Sequence, residues 1–254
     1  MSLLQVENMS RRFGGLTAVS DLSFEIEEGG IHGLIGPNGA GKTTTFNVIC
    51  GFYQPSSGRV VYAGRDISGM RPSAIAELGL IRTFQQTTLF QEFTVFDNVL
   101  VGCHLKARRG FLSTLLGTGT ERERAAQEKV MEVLDFFGLA DRRDELTSNL
   151  PHGHQRALGM AVALAAEPRL LLLDEPFTGM NPEETRVMMD LVRKVRDHGV
   201  TLLLVEHDMQ AVMGLCDRIT VLNFGKLLTE GTPEEVRSHP DVIEAYLGTT
   251  HHAA

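Results

Sequence analysis

The chain has 254 residues, 43% of them hydrophobic and 22% charged, values that exclude a disordered or fibrous protein. Its length suits one large domain, or one domain with an inserted lobe, better than two independent domains. Acidic residues outnumber basic residues by 32 to 24, and the net charge of -8 disfavours nucleic acid as the main partner.

The first third of the chain predicts strands around a glycine-rich loop. Apolar side chains alternate with polar ones at Leu22, Phe24 and Ile26, and a turn follows at Gly29–Gly30. A short apolar strand, GIHGLIG, leads into the glycine-rich loop, and helical spacing starts in KTTTFNVI. The segment SSGRVVYAGRDI then predicts a hairpin with its turn near Ala63–Gly64.

The middle of the chain predicts helices. In residues 125–137 the apolar side chains share one helical face, with Glu and Lys on the opposite face; they are Ala126, Val130, Val133, Leu134 and Phe137. Residues 109–123 are rich in Gly, Ser and Thr, which predicts an irregular surface connection.

The last third alternates between helices and short, continuously apolar strands. The strands lie in RLLLLDEP, VTLLLVEHD and RITVLNFGK, and amphipathic or apolar helices separate them. Such strands are typical of a parallel sheet covered on both faces. The sequence therefore predicts an α/β fold with a mainly parallel sheet.

Cysteine spacing and hydropathy limit the setting in which the protein works. Cys50, Cys103 and Cys216 are far apart, so neither a disulfide framework nor a zinc site is indicated. The N-terminal segment lacks the order of a signal peptide, and no apolar run reaches the roughly 18 residues of a membrane span. We expect a protein of a reducing cytoplasm that works at a membrane only from outside the bilayer.

The segment GPNGAGKT matches the phosphate-binding pattern G-x-x-x-x-G-K-[ST] between a predicted strand and a predicted helix. Its glycines allow successive backbone N–H groups to point at phosphate oxygens, and the following helix adds its positive end. Lys42 would reach the β- and γ-phosphates, and the Thr43 hydroxyl would hold Mg²⁺. The expected ATP-binding residues of this loop are Gly36, Pro37, Asn38, Gly39, Ala40, Gly41, Lys42, Thr43 and Thr44.

Two adjacent acids follow the apolar strand LLLL. Asp174 and Glu175 should lie at the carboxyl edge of the sheet, where ligands of open α/β sheets bind. Asp174 then suits the Mg²⁺ shell, and Glu175 suits the activation or orientation of an attacking water. A helix N-cap before Pro176 is the alternative role for this pair.

Five further segments, together with the phosphate loop, resemble the ATP-binding cassette (ABC) family over nearly the whole chain. RRFGGLTAV resembles its adenine-stacking loop, RTFQQ its glutamine loop, NLPHGHQR its signature, FTGMNP its dimer loop and LLLVEHDM its histidine switch. RTFQQTTLF, FTVFDNVLVG, GMNPEET and HPDVIEAYLG resemble, more narrowly, the LivG-type ATPase subunits of branched-chain amino acid importers. Importers of urea or short amides use similar cassettes, so the sequence does not determine which solute is transported.

The resemblance implies a P-loop NTPase core with a mainly parallel sheet, an N-terminal antiparallel β subdomain and an inserted α-helical subdomain. Residues 1–254 would form one ABC ATPase domain. The core with the β subdomain would occupy residues 1–85 and 160–254, and the helical subdomain about residues 86–159.

The resemblance also implies a subunit that binds and hydrolyses ATP with Mg²⁺ and powers uptake by closure of a dimer. The expected partners are a second ABC ATPase subunit, in a homodimer or heterodimer, and two membrane permease subunits. A periplasmic or extracellular solute-binding protein would act indirectly. The chain would lie on the cytoplasmic face of the inner or plasma membrane as a peripheral subunit.

By the same resemblance, single residues receive roles. Phe13 would stack on adenine, although a core aromatic on a strand is its structural alternative. Gln85, which follows Phe84, would contact Mg²⁺ or the attacking water, with Gln86 as the rival assignment. His207 would donate to the γ-phosphate. The dimer loop contains Gly179, Met180 and Asn181, and many family members carry Asp in place of this Asn.

The signature segment departs from the family motif L-S-G-G-Q. Only the leucine and the second glycine of the motif are present in its residues, Leu150-Pro151-His152-Gly153-His154. In the family this loop clamps the nucleotide bound to the opposite subunit, so these residues would act in trans. Gly153 keeps its N–H, and the helix that follows presents its positive end. One lost charge-assisted hydrogen bond costs about 1.5 to 3 kcal/mol, which weakens such a clamp without abolishing it.

Two functions stay open at this point. The first is the ATP-hydrolysing subunit of an importer, and the second is a nucleotide-binding regulatory cassette with weak or no hydrolysis owing to its degenerate signature. A cassette acting on DNA or ribosomes is disfavoured, because the sequence has neither coiled-coil arms nor a second cassette. A metal site at His152 and His154 is weakly supported, since no third ligand lies nearby in the sequence.

Overall fold

The computed structural model describes residues 2–83, 89–107 and 119–247. Its strands form two sheets. They are β1 (Ser2–Phe13), β2 (Leu16–Glu27), β3 (Ile31–Ile35), β4 (Ser57–Tyr62), β5 (Arg65–Asp66), β6 (Leu80–Arg82), β7 (Leu170–Asp174), β8 (Thr201–Val205), β9 (Arg218–Asn223) and β10 (Lys226–Gly231).

The described helices surround these sheets. They are α1 (Lys42–Ile49), α2 (Pro72–Glu77), α3 (Val95–Ala107), α4 (Gly119–Phe136), α5 (His152–Ala165), α6 (Pro182–Asp197), α7 (Met209–Leu215), α8 (Pro233–Ser238) and α9 (Pro240–Leu247), with short 3-10 turns at Ala140–Arg142 and Thr147–Asn149. No helix of these ranges combines the length and the apolar composition needed to cross a membrane.

The central sheet has six strands in the order β10-β9-β3-β8-β7-β6. The pairs from β9 to β6 are parallel, and only β10 runs antiparallel to its neighbour β9. Every residue of β3, β7 and β8 is buried, as expected for strands that helices or a second sheet cover on both faces. The mainly parallel sheet predicted from the sequence is confirmed.

The two faces of the central sheet belong to different hydrophobic cores. Along β7, Leu171 and Leu173 face a core shared with the helices α3 to α6, whereas Leu170 and Leu172 face a second core. The second core contains α1 and the antiparallel sheet, whose strand order is β2-β1-β4-β5. The alternation follows from the two-residue period of a strand. The N-terminal antiparallel sheet expected from the family resemblance is confirmed.

The helical region packs on one side of this frame. Helix α3 packs against α4 and α5. The division into a core and a helical subdomain stays a prediction, and its second boundary, between residues 159 and 160, falls inside α5. The predicted irregular connection at residues 109–123 is wrong for residues 119–123, which begin α4, because the Glu and Arg side chains there favour a helix. Residues 109–118 of this predicted connection lie outside the described ranges.

Candidate nucleotide site

The glycine-rich loop connects the buried strand β3 to the first turn of α1. Gly36, Gly39 and Gly41 have φ angles of +152°, +81° and +102°, which L side chains rarely adopt. A Cβ atom added to Gly36 would lie 2.2 Å from the carbonyl oxygen of Leu222, and one added to Gly41 would lie 2.8 Å from that of Ala18. The glycines are therefore required both by the turn and by close packing against neighbouring backbone.

Lys42 folds back over this loop. Its Nζ donates to the carbonyl oxygens of Gly36 at 2.6 Å and Pro37 at 3.1 Å. Burial lowers the pKa of Lys42, and the negative charges of Glu175 and Asp174 oppose this shift. The ammonium group thus lies within electrostatic reach of both acids predicted for the site.

A cavity of about 490 Å³ opens on the loop. It is lined by residues 38–44 of the loop and first helical turn, by Glu175, by the first three residues of β2, which are Leu16, Thr17 and Ala18, and by Phe224 from the turn after β9. The phosphate-loop residues and the proposed catalytic acid, which are far apart in the sequence, therefore meet at one cavity at the carboxyl edge of the sheet.

Asp174 ends β7 and is 7% exposed. Its Oδ2 accepts a hydrogen bond at 2.5 Å from Arg82, at the end of the neighbouring strand β6. Arg82 also donates to Oδ1 of Asn47 at 2.7 Å, on α1. The carboxylate is therefore held by a buried ion pair that also contacts the helix of the phosphate loop. Arg82 is not predicted from the sequence, where its only local signal is an arginine that closes an apolar strand.

Glu175 follows with a φ of +48°, a left-handed conformation that is uncommon for a residue with a side chain. Its Oε2 accepts a hydrogen bond from the Thr178 hydroxyl at 3.2 Å and lies 4.0 Å from Nδ1 of His207. Backbone strain of this kind is frequent at functional sites. The structure thus brings Glu175, which lines the cavity, close to His207, two of the three predicted catalytic residues.

The half-buried Arg156 and the buried Glu206 hold the loop that follows Asp174. Arg156, on α5, donates to the carbonyl oxygens of Glu175, Pro176 and Thr178. This guanidinium links the helix after the signature segment to the loop of the catalytic acid. The sequence analysis missed it, since nothing local distinguishes it from other helical arginines.

Glu206 completes this support from the end of β8. Its carboxylate, which is 1% exposed, accepts hydrogen bonds from the backbone N–H groups of Phe177 at 2.8 Å and His207 at 2.8 Å. A buried carboxylate needs such donors to offset its lost hydration. Glu206 therefore fixes the backbone on both sides of the site, and its place directly before His207 in the sequence is the signal that could have found it.

Phe13 lies at the end of β1 and is 38% exposed, so it is not the core aromatic considered as its alternative. Its ring meets that of Tyr53 edge to face at 5.2 Å, and the guanidinium of Arg11 lies 4.4 Å from its centroid. It is not among the residues that line the cavity. Its contact with adenine stays a prediction. Gln85 and its rival Gln86 lie outside the described residues.

The signature segment starts α5. Pro151 occupies the N-cap position and has no side-chain hydrogen bond to cap the helix, as expected for proline. A Cβ atom added to Gly153 would have Glu184 as its nearest neighbour, at 3.9 Å, so its backbone is open to close approach. Within the described residues, His152 and His154 belong to no cluster of three or more metal-ligating side chains. A contact of Gly153 with a second subunit stays a prediction.

The dimer loop leads into α6. Gly179 has a φ of +77°, and Met180 packs partly buried against the helical core. Asn181 is the N-cap of α6, with Oδ1 accepting from the N–H of Glu184 at 3.0 Å and its own N–H donating to the Glu184 carboxylate at 2.9 Å. This reciprocal pair is a capping box. Asn and Asp serve equally as N-caps, which accounts locally for the exchange between them.

Replacing Asn181 with Ala is expected to lower the free energy of unfolding by about 1 kcal/mol, because the N-terminal turn of α6 loses its cap. Asn181→Asp is the matched control and should keep the wild-type stability, since a carboxylate accepts the same hydrogen bond near the positive helix end. Urea unfolding of the three proteins measures the difference. Equal losses in both variants would show that the cap is not what Asn181 contributes.

The donor set beside the cavity suits Mg²⁺. Thr43 supplies a hydroxyl and Asp174 a carboxylate, both oxygen ligands of the kind that this hard cation prefers. In the part of the chain that the structure describes, no group of three or more His, Cys, Asp or Glu side chains could hold a metal ion alone.

Comparison with known families matches residues 19–178 to the ABC transporter family and residues 226–252 to the branched-chain amino acid ATP-binding cassette transporter family. The chain is 45% identical over 249 residues to the high-affinity branched-chain amino acid transport ATP-binding protein LivG of Salmonella typhimurium, covering 97% of this chain and 98% of that protein. It is 44% identical, with the same coverage, to the corresponding protein BraF of Pseudomonas aeruginosa.

A solved structure agrees with these relatives. The cassette MJ1267 of an ABC transporter, in its ADP conformation, superposes with a TM-score of 0.87 at 30% identity, over 98% of this chain and 99% of that one. The resemblance seen in the sequence motifs is thereby confirmed over the whole fold. The chain belongs to the ABC transporter family, as one of its ATP-binding and ATP-hydrolysing subunits.

Proposed function

We propose that this ATPase powers the import of branched-chain amino acids. Support comes from the relatives named for that transport, LivG and BraF, and from the match of residues 226–252 to a branched-chain amino acid cassette family. The chain would work at the cytoplasmic face of the membrane with a second cassette and two permease subunits. A solute-binding protein on the other side would deliver the amino acid.

The triphosphate of ATP would bind on residues 36–44. The observation that carries this proposal is the cavity in which the phosphate loop, Lys42 and Glu175 meet. Backbone N–H groups of the loop and the positive end of α1 would contact phosphate oxygens. Lys42 would exchange its hydrogen bonds to the loop carbonyls for contacts to the β- and γ-phosphates. Phe13 would stack on the adenine base.

Thr43, Asp174 and Gln85 would hold Mg²⁺. When bound, this ion would supply positive charge that offsets the negative charge of the β- and γ-phosphates. Asp174 is preset for this role, because Arg82 fixes one of its oxygens from β6. The ion pair is 7% to 8% exposed, so the Arg82 guanidinium holds the direction of the carboxylate in a site largely closed to water.

Glu175 would orient and deprotonate the attacking water, and His207 would donate to the γ-phosphate. The side chains of Arg156 and Glu206 hydrogen-bond to the backbone of Glu175 and His207, which supports the position of both residues at the sheet edge. The signature residues Pro151, His152, Gly153 and His154 would close the site from the second cassette. Gly179, Met180 and Asn181 would lie at the dimer contact.

Uptake measurements test the proposed cargo. Deleting the gene from its host should abolish high-affinity uptake of radiolabelled leucine, and a wild-type copy should restore it. A Lys42→Ala copy should not restore leucine uptake, because the loop then lacks its positive side chain for the phosphates. If leucine uptake survived the deletion while urea or amide uptake was lost, the cargo proposed here would be wrong.

A further inference from the structure

The turn between β9 and β10 carries an unusual residue. Asn223 pairs with Lys226, so the turn consists of Phe224 and Gly225 alone. Both have positive φ, +46° and +75°, as in the two-residue hairpin turns that favour Asn, Asp or Gly at the first position. A bulky aromatic side chain is a poor choice for this backbone conformation.

The turn geometry itself does not need an aromatic ring. The hairpin between β4 and β5 has a turn of the same kind, with Ala63 at +48° and Gly64 at +76°. Packing within the subunit does not explain the ring either. Phe224 is 87% exposed, more than any other large apolar side chain in the described ranges. The chain therefore carries a strained and solvated aromatic ring without gaining a buried contact from it.

This ring lies at the nucleotide cavity. The turn is tied to the phosphate loop by a hydrogen bond from the N–H of Gly225 to the carbonyl oxygen of Ala40 at 3.1 Å. It is tied to β2 by a hydrogen bond from the N–H of Ser20 to the carbonyl oxygen of Gly225 at 2.7 Å. Phe224 lines the cavity with Leu16, which is also exposed, and with Lys42. The turn that carries the ring is therefore held by backbone contacts to the glycine-rich loop and to β2.

We propose that Phe224 is a nucleoside-binding residue, which contacts the base or ribose of ATP while the glycine-rich loop binds the phosphates. The inference rests on the proposed binding of the triphosphate at residues 36–44. The cavity lining combines residues 38–44 of the glycine-rich loop, which suit phosphates, with the apolar side chains of Leu16, Ala18 and Phe224, which suit a nucleoside. Phe224 would supply an aromatic face there, in addition to that of Phe13.

Calorimetric titration with two ligands, both in the presence of Mg²⁺, tests this assignment. ATP carries the nucleoside, and inorganic tripolyphosphate has only the phosphates. Phe224→Asn removes the ring but places a residue that favours the turn conformation, so the hairpin should persist. It should weaken ATP binding about tenfold, as loss of a base–aromatic contact does, and leave tripolyphosphate binding within about twofold of wild type. Phe224→Tyr should restore ATP binding.

Leu227→Asn is the matched control, because Leu227 is 41% exposed on the adjoining strand β10 and does not line the cavity. It should leave the affinity for both ligands unchanged. Equal weakening of ATP and tripolyphosphate by Phe224→Asn would overturn the proposal and assign the ring to loop geometry. Unchanged ATP binding with weakened dimerisation would overturn it in favour of a contact with the second cassette. If the wild-type chain bound neither ligand, the proposed phosphate site itself would fail.

Discussion

Replacing Glu175 with Gln is expected to lower the rate of ATP hydrolysis by about 100- to 10,000-fold, the range lost when a general base is removed. Gln has nearly the same shape, so the hydrogen bond from Thr178 and the left-handed backbone at this position should persist. What disappears is the basic carboxylate beside the cavity. The chemical step should therefore fail in a site that is otherwise intact.

ATP binding should survive this change. Glu175 is one of the two negative charges that act on Lys42, and its neutralisation removes repulsion toward the phosphates of ATP. We expect the variant to keep its affinity for ATP and to accumulate as an ATP-bound dimer with its partner cassette. Single-turnover phosphate release measures the chemical step, and size-exclusion chromatography with ATP measures the dimer.

Glu183→Gln is the control for this experiment. Glu183 is exposed in the first turn of α6 and pairs with Arg186 on the helix surface. Its substitution should leave hydrolysis within about twofold of wild type, as most surface changes do. Hydrolysis by Glu175→Gln at the wild-type rate would remove Glu175 from the catalytic role. Loss of ATP binding together with hydrolysis would make its role structural.

The sequence predicts the parts of this site that depend on local pattern. Glycines at fixed spacing between an apolar strand and a helix define the phosphate loop, and strands that end in DE and EH place their acids and histidine at one sheet edge. Both features come from a few adjacent residues. The parallel sheet follows in the same way from the continuous apolar runs.

The contacts that support the site could not be predicted from the sequence, because they join distant segments. Arg82 and Asp174 are 92 positions apart, and their pairing depends on β6 lying next to β7, an order that no local pattern encodes. Arg156 reaches carbonyl oxygens 19 to 22 positions away, which give no side-chain signal in the sequence. Phe224 was missed for another reason, since an aromatic residue near a strand end is normally interpreted as part of a core.

Several residues that line the cavity have positive φ angles. Glu175 and Phe224, two residues with side chains and positive φ, both line it, as do Gly39 and Gly41. Each conformation is held by contacts from other elements, such as Arg156 at Glu175 and Ala40 at Gly225. Strain persists only where surrounding structure fixes it. The site is therefore built before the nucleotide arrives, which lowers the ordering cost of binding.

Replacing Gly36 with Ala should disrupt this prebuilt loop. The added Cβ would lie 2.2 Å from the carbonyl oxygen of Leu222 and 2.9 Å from the Cβ of Ala40, and backbone cannot yield as a flexible side chain can. With strain at a φ of +152° added to this overlap, the free energy of unfolding should fall by about 2 to 4 kcal/mol. The loop must move, so its N–H groups would no longer converge on the phosphates.

The affinity of the Gly36→Ala variant for ATP should fall together with its stability. Losing two hydrogen bonds to a charged phosphate costs about 3 kcal/mol or more, which corresponds to at least about 100-fold in Kd. Urea unfolding and calorimetric titration with ATP measure the two effects on the same protein. They should change together, because one displaced loop causes both.

Gly39→Ala separates steric overlap from backbone strain. Gly39 also has a positive φ, +81°, but a Cβ atom there would meet no other atom within 4 Å. This control should therefore lose only about 1 to 2 kcal/mol, the cost of the left-handed conformation. It should also bind ATP more tightly than Gly36→Ala does. Equal stability and equal ATP affinity in the two variants would show that the close approach of Gly36 to β9 is not what shapes the phosphate site.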